Sequence, residues 1–296
     1  MLNIRNRERP GTNNSCLRKT SILIIAALVT GNFFSKADLN AQGNLLITPR
    51  RVVFEGSSRS IDLNLANTGK DTSAYAISIV NIRMKDDGGF ENITEPDPDQ
   101  RFADRFIRFF PRSVTLGPNE AQVVKVQLTR TNELQEGEYR SHIYFRAVPK
   151  KVPLGEEEKI RDTTTISVKL TPIFGITIPI IIRRGTSTAK VTLSDLVYET
   201  VEGSQPRISF TFNRTGNMSV FGDIVVEHIS TQGIITRVGA VNGVAVYTPN
   251  KIRRLQLNLN RIPGINYKTG TLRIIYSAPT DVKPLRYAEA ELALSR

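Results

Sequence analysis

The sequence predicts an all-β protein of two sandwich domains, and three observations carry that expectation. Short runs of alternating apolar and polar residues recur along the chain, turn residues separate them, and almost no stretch has helical periodicity. "SIDLNLANTG" alternates through Ile61, Leu63 and Leu65 and breaks at Asn67 to Gly69. "SAYAISIVNIRM" and "AQVVKVQL" behave the same way, with the turn signals "KDDGG" and "LGPNE" between them. Beyond "IIRRGTSTAK" the pattern resumes in "AKVTLSDLVYE", "PRISFTFNRTGN", "FGDIVVEHIS", "RRLQLNLNRI" and "GTLRIIYSA". A chain of 296 residues accommodates about two such domains, joined near Gly185 by a linker short enough to constrain their orientation.

The start of the chain has a different composition. Arg5, Arg7, Arg9, Arg18 and Lys19 precede the apolar stretch "SILIIAALVTG", which is too short to span a bilayer, and Ala41 in "LNAQ" is a suitable cleavage position. Residues 1–41 are therefore expected to be a cleaved signal peptide, residues 42–184 the first domain and residues 185–296 the second. The single cysteine, Cys16, precedes the apolar core, so the exported chain would carry no disulfide, which suits a bacterial periplasm. The formal charge is +12, of which the signal region supplies six cations against Glu8 and Asp38, leaving about +8 for the remainder. Those cations are spread through strand-like segments and form no run with interleaved aromatics, so nucleic acid is not expected, and no segment after the first 41 residues is apolar for long enough to span a bilayer, so stable membrane insertion is not expected either.

One segment is too long for its pattern. In "TISVKLTPIFGITIPIII", residues 165–182, every even position from 166 to 182 is apolar or Pro. A strand ordinarily runs for roughly 5 to 6 residues, whereas this pattern would extend on the order of 50 Å. Part of it is expected to serve something other than the chain's own core.

Catalytic constellations are missing from the sequence. His142 and His228 are the two histidines, and both fall in alternating strand-like runs. Ser141 beside His142 is no nucleophile and base pair, because strand neighbours face opposite ways. The acidic loop "TEPDPDQ" offers Glu95, Asp97 and Asp99 to a hard cation, but it lacks a Gly-turn motif and reads as a solvated connector, as does the acidic run at residues 155–159. With no phosphate loop, dinucleotide fingerprint, zinc-ligand spacing or nucleophile elbow, no enzyme and no cofactor is expected.

Gly137-x-Tyr139 at a strand start resembles the tyrosine corner of immunoglobulin-type sandwiches, with Ser141 where antibody domains carry a cysteine. Three longer segments, in order, resemble the PapD-like periplasmic chaperones of the chaperone-usher pathway. They are "ITPRRVVFEGSSRSIDLNLANTG", "FFPRSVTLGPNEAQVVKVQL" and "LQEGEYRSHIYFRAVP", the last placing Glu138, Tyr144, Arg146 and Pro149 at the family's signature positions. The turn order Gly117-Pro118 is reversed relative to the family. The second half resembles the family through size and strand character only.

The resemblance implies two immunoglobulin-like domains and a chaperone that lends a strand to incomplete pilus or fimbrial subunits before an outer-membrane usher receives them. It implies that Ile166, Val168 and Leu170, with Phe174 at the end of the row, are the lent residues. It also implies a basic pair that anchors the client's C-terminal carboxylate, one member of which maps to Arg51, with Arg50 its rival on the opposite face. The second member, a Lys, maps to Gly175, and Lys169, Arg183 and Arg184 are left as candidates to replace it. Self-pairing of the lent strand without a client stays open. The alternative reading is a structural or adhesive cell-surface protein that uses the same strands purely for its core.

Overall fold

The computed structural model describes residues 44–149, 172–200, 205–279 and 285–294. In the first sandwich, alternation builds the strands β1 (Leu45–Thr48), β2 (Val52–Phe54), β3 (Ser60–Asn67), β4 (Ser73–Val80), β5 (Ile82–Met84) and β6 (Phe90–Asn92). They are followed by β7 (Ile107–Phe110), β8 (Ser113–Leu116), β9 (Ala121–Leu128), β10 (Gly137–Val148) and β11 (Gly175–Arg184). One sheet has the order β1-β3-β9-β7 and the facing sheet β2-β11-β10-β4-β8, the immunoglobulin arrangement with its first and fourth strands crossing between sheets. Both crossings occur at a proline, Pro49 and Pro111, which has no N–H to give to a ladder.

Strand parity decides what fills this core. Leu63 and Leu65, Val124 and Val126, Ile143 and Phe145, and Ile178, Ile180 and Ile182 interdigitate between the sheets. The tyrosine corner forms as the sequence indicates, with Tyr139 Oη accepting from the N–H of Gln135 at 2.9 Å. Ser141 lies buried where it accepts from the N–H of Ala103 and donates to Asn81. Asn67 ends β3 by donating to the carbonyls of Asp71, Leu116 and Gly117 and accepting from the N–H of Gly69, so one buried amide ties two turns together.

The second sandwich comprises β12 (Lys190–Glu199), β13 (Arg207–Thr215), β14 (Val220–Ile229), β15 (Ile235–Val246), β16 (Ile252–Asn258), β17 (Gly270–Ser277) and β18 (Arg286–Leu294). Its sheets, β12-β13-β16 and β15-β14-β17-β18, enclose a separate core of Phe210, Phe212, Ile224, Val226, Leu272, Ile274 and Tyr276. Residues 42–296 form one compact unit, and a third apolar cluster of Met84, Ile181, Ala245 and Tyr247, flanked by Val53 and Phe221, joins the two sandwiches.

Candidate functional site

Two features of the first sandwich could engage a partner, and both involve β11. The strand pairs antiparallel with β10 along its whole length, from Gly137↔Arg184 to Arg146↔Gly175. On its other side β2 pairs with it only at Ile180 to Ile182. Among the described residues, no strand covers the remaining edge of β11, Gly175 to Pro179, so its outward backbone groups are open to pairing. The even-numbered residues face the core: Ile178, Ile180 and Ile182 are buried and Ile176 packs beside them. Phe174 continues the same parity, and the ladder reaches it through the N–H of Ala147, but its ring is 46% exposed and adjacent Ile173 is 44% exposed. The row that fills the core thus runs past the end of the core.

The second feature lies where the outer face of the β2-β11-β10 sheet meets the second sandwich. Alternation puts Glu138, Arg140 and His142 on the opposite side of β10 from Tyr139, Ser141 and Ile143. That outer face would be solvated in an isolated sandwich, yet all three residues are buried. Glu138 accepts four hydrogen bonds: from the N–H of Ser219 at 3.1 Å, Ser219 Oγ at 2.7 Å, Arg183 Nε at 3.0 Å and Thr248 Oγ1 at 3.1 Å. Arg183 also donates to Glu55 at 2.8 Å and to the carbonyl of Ser219 at 2.8 Å. A fully satisfied carboxylate thereby joins one sandwich to the other.

Arg51 precedes β2 and shares the outward parity of Val53. Its guanidinium stacks 4.4 Å from the centroid of Phe221 and donates to Tyr247 Oη at 3.1 Å. Arg50 is exposed to solvent away from this group. Arg140 lies over the Tyr247 ring at 4.3 Å, and His142 meets Phe90 and Tyr247 edge-on. Burial lowers the pKa of both Arg51 and Arg140 from the ordinary guanidinium value, although an arginine so placed stays a cation at neutral pH. Burial, followed by the charges of Arg140 and Arg51, depresses His142 to about 3, which keeps the imidazole neutral.

The sign of the resulting pH dependence follows from the unfolded chain, where a histidine titrates near 6.5. Between about pH 6.5 and 3 the unfolded state binds a proton that the native state refuses, so stability falls as the pH falls through that window. Compared with His142→Phe, the wild type should lose about 2 kcal/mol more between pH 7 and pH 4.5, measured by urea unfolding. Equal losses in the two proteins would contradict a neutral buried imidazole.

The residues singled out in the sequence fall as follows. Arg51 stands at the junction with the second sandwich, against Phe221 and Tyr247, and Phe174 at the open end of the core row. Ile166, Val168, Leu170 and Lys169 lie outside the described residues, as does the acidic run at 155–159. Gly175 pairs with Arg146, and the Tyr144 ring lies across it, so a Cβ there would run into that ring. A lysine at this position would require Tyr144 to swing away. Of its candidate replacements, Arg183 is committed to Glu138 and Glu55, and Arg184 donates to the carbonyl of Thr131 at 2.8 Å. Asp97 of the acidic loop is held by Arg83 through two hydrogen bonds, and chiefly for that reason its pKa is lowered. His228 hydrogen-bonds the carbonyl of Thr269 at 2.9 Å within the second sandwich. Sequence reasoning missed Arg140, Phe221 and Tyr247, and the role of Glu138 as the junction between sandwiches.

Solved structures similar to this chain include several chaperones. The YadV chaperone is 13% identical, with 85% of this chain and 100% of that one covered and a TM-score of 0.42. The CupB2 chaperone of Pseudomonas aeruginosa is 14% identical over 85% and 100%, with a TM-score of 0.39. A chain of the CsuC–CsuE chaperone–tip adhesion subunit complex, from the archaic chaperone-usher Csu pili of Acinetobacter baumannii, is 9% identical over 83% and 99%, with a TM-score of 0.42. No protein-family model and no curated protein matches the chain.

Proposed function

We propose that this protein is a periplasmic chaperone that binds pilus or fimbrial subunits by lending them a strand and passes them to an outer-membrane assembly platform. The observation that carries the reading is the split in one alternating row. Ile178, Ile180 and Ile182, with Ile176 beside them, complete the protein's own core, while Phe174 extends the row into solvent beside an outer edge of β11 that no described strand covers. An exposed apolar edge of this kind invites aggregation unless a partner uses it. A subunit lacking one strand would take backbone hydrogen bonds from the edge and receive alternate side chains in its groove.

In this reading Ile166, Val168, Leu170 and Phe174 fill the client's groove, and Arg51 meets the client's terminal carboxylate through charge-assisted hydrogen bonds. Residues 1–41 act as the export signal, and residues 42–184 and 185–296 as the two domains. The mechanism requires no cofactor and no bond chemistry, because the client leaves when a subunit's own strand replaces the lent one.

The reading is tested by affinity capture with the tagged mature protein from extracts of the cells that produce it, wild type beside Arg51→Ala, with mass spectrometry of what is retained. The expected result is a short list of small envelope subunits, retained one-to-one by the wild type and reduced roughly 30-fold or more by the substitution. Fractionation of the protein itself with a surface polymer, and no captured subunit, would favour a structural module.

A further inference from the structure

We propose that the far end of the second sandwich carries a docking groove for a short acidic peptide segment of a protein partner, one with an apolar side chain set among its carboxylates. The proposal is independent of the chaperone reading above, because it concerns the end of the second sandwich that points away from the first. Strand β14 leaves the junction beside Ser219 and reaches this end at His228, roughly 30 Å away at the usual rise of a strand.

The groove is built by the connection between β16 and β17, residues 259–269, against the end of β12. Two turns stitch that connection: the N–H of Ile265 donates to the carbonyl of Ile262 at 3.1 Å, and the N–H of Thr269 to that of Asn266 at 3.3 Å. Tyr267 Oη donates to the carbonyl of Asn260 at 2.6 Å, which fixes the ring. That ring meets the buried His228 edge-on at 5.8 Å and stacks on Tyr198 at 5.9 Å, with the two planes 14° apart. Pro206, Ile262 and Ile265 complete the apolar lining around a volume of about 380 Å³. That volume lies at the lower end of the roughly 300 to 1,000 Å³ of ordinary ligand pockets, room for a few side chains.

Ile262, Ile265, Tyr198 and Tyr267 pack on the second core from outside, yet each keeps part of its surface in water. The rim is cationic, since Arg261 and Lys268 line the groove and both are exposed. Among the described residues no carboxylate lines it. Glu199 faces the other side of β12 from Tyr198 and pairs with Arg207 at 2.6 Å. Among the described residues, too, the Lys268 ammonium has no ion-pair partner. An apolar trough with a positive rim selects a ligand whose apolar group lies between negative ones. The tyrosines cover each other's facing surfaces and the rest of the lining is aliphatic, so an apolar side chain fits it better than a sugar ring.

The test follows the isoleucine δ1 methyls of the full mature chain by NMR as ligands are added. The probe is an acetylated pentapeptide amide with one phenylalanine between two pairs of aspartates. Three counterparts carry asparagines or lysines in place of the aspartates, or glycine in place of the phenylalanine, and glucuronate stands for an acidic sugar. The acidic probe should shift the methyls of Ile262 and Ile265, and the asparagine and glycine counterparts should bind about ten-fold more weakly or worse. Tyr198→Ala should abolish the shifts. Lys268→Glu, at an exposed position, should leave the melting temperature unchanged and weaken the acidic probe about five-fold, so the outcome does not depend on a variant that fails to fold. Equal binding of the asparagine or lysine counterpart, shifts confined to isoleucines of the first sandwich, or no response at Ile262 and Ile265 overturns the proposal. Glucuronate moving both methyls at lower concentration than the acidic probe overturns it in favour of a saccharide site.

Discussion

Replacing Glu138 with alanine is expected to cost about 3 to 5 kcal/mol of unfolding free energy, the range typical of removing one partner from a buried ion pair. The reason lies in what remains. The Glu138 side chain is fully buried, and its loss strands Arg183 Nε, the Ser219 N–H and two hydroxyls without their acceptor, beside Arg51 and Arg140. Because these partners belong to both sandwiches, calorimetry should show one transition for the wild type and two for Glu138→Ala. The double variant Glu138→Gln with Arg183→Met should regain a large part of the loss, since it removes both charges and keeps a hydrogen-bonding side chain at 138. A loss below about 1 kcal/mol for Glu138→Ala would show that the junction is held by its apolar cluster alone.

The second large effect contrasts two ends of one row. Replacing Ile166, Val168 and Leu170 together with serine should reduce client capture by more than about 100-fold, as expected when several groove-filling side chains are lost, with the melting temperature nearly unchanged. Ile180→Ser should do the reverse. Ile180 is fully buried between the sheets, so a hydroxyl there leaves both a cavity and a poorly satisfied polar group, at a cost of about 3 kcal/mol or more. Circular dichroism melts and capture, measured on all variants, separate the outcomes. If the triple substitution unfolds the first sandwich, the upstream residues belong to the core and the strand is not lent.

How far the sequence could be read depended on whether a feature is local. The alternation of β3, β9 and β10 locates core positions because period two is a property of each strand by itself. Gly137 and Tyr139 announced the corner bond to Gln135, a contact across only four residues. The choice between Arg50 and Arg51 was also within reach, since Val52 and Phe54 face the core and place Arg51 with Val53 on the other side. Alternation identifies the second face of a strand but not what covers it. Glu138, Arg140 and His142 share the outward face of β10 by parity, and only the approach of Phe221 and Tyr247 from the second sandwich turns that face into a buried junction. Arg51 and Tyr247 are 196 residues apart, with no local pattern to connect them. The substitution of glycine for the expected lysine at position 175 was visible, but its physical correlate, the Tyr144 ring lying across it, required the β10–β11 register.

The most direct measurement is amide hydrogen exchange on the purified one-to-one complex with a captured subunit, compared with the free protein. The account predicts new protection along residues 166–179, strongest along the outer edge of β11 from Gly175 to Pro179 that no described strand covers, while Ile180 to Ile182, paired on both sides already, change little. Protection confined to the second sandwich or to loops, with the edge of β11 exchanging as fast as in the free protein, would contradict strand lending.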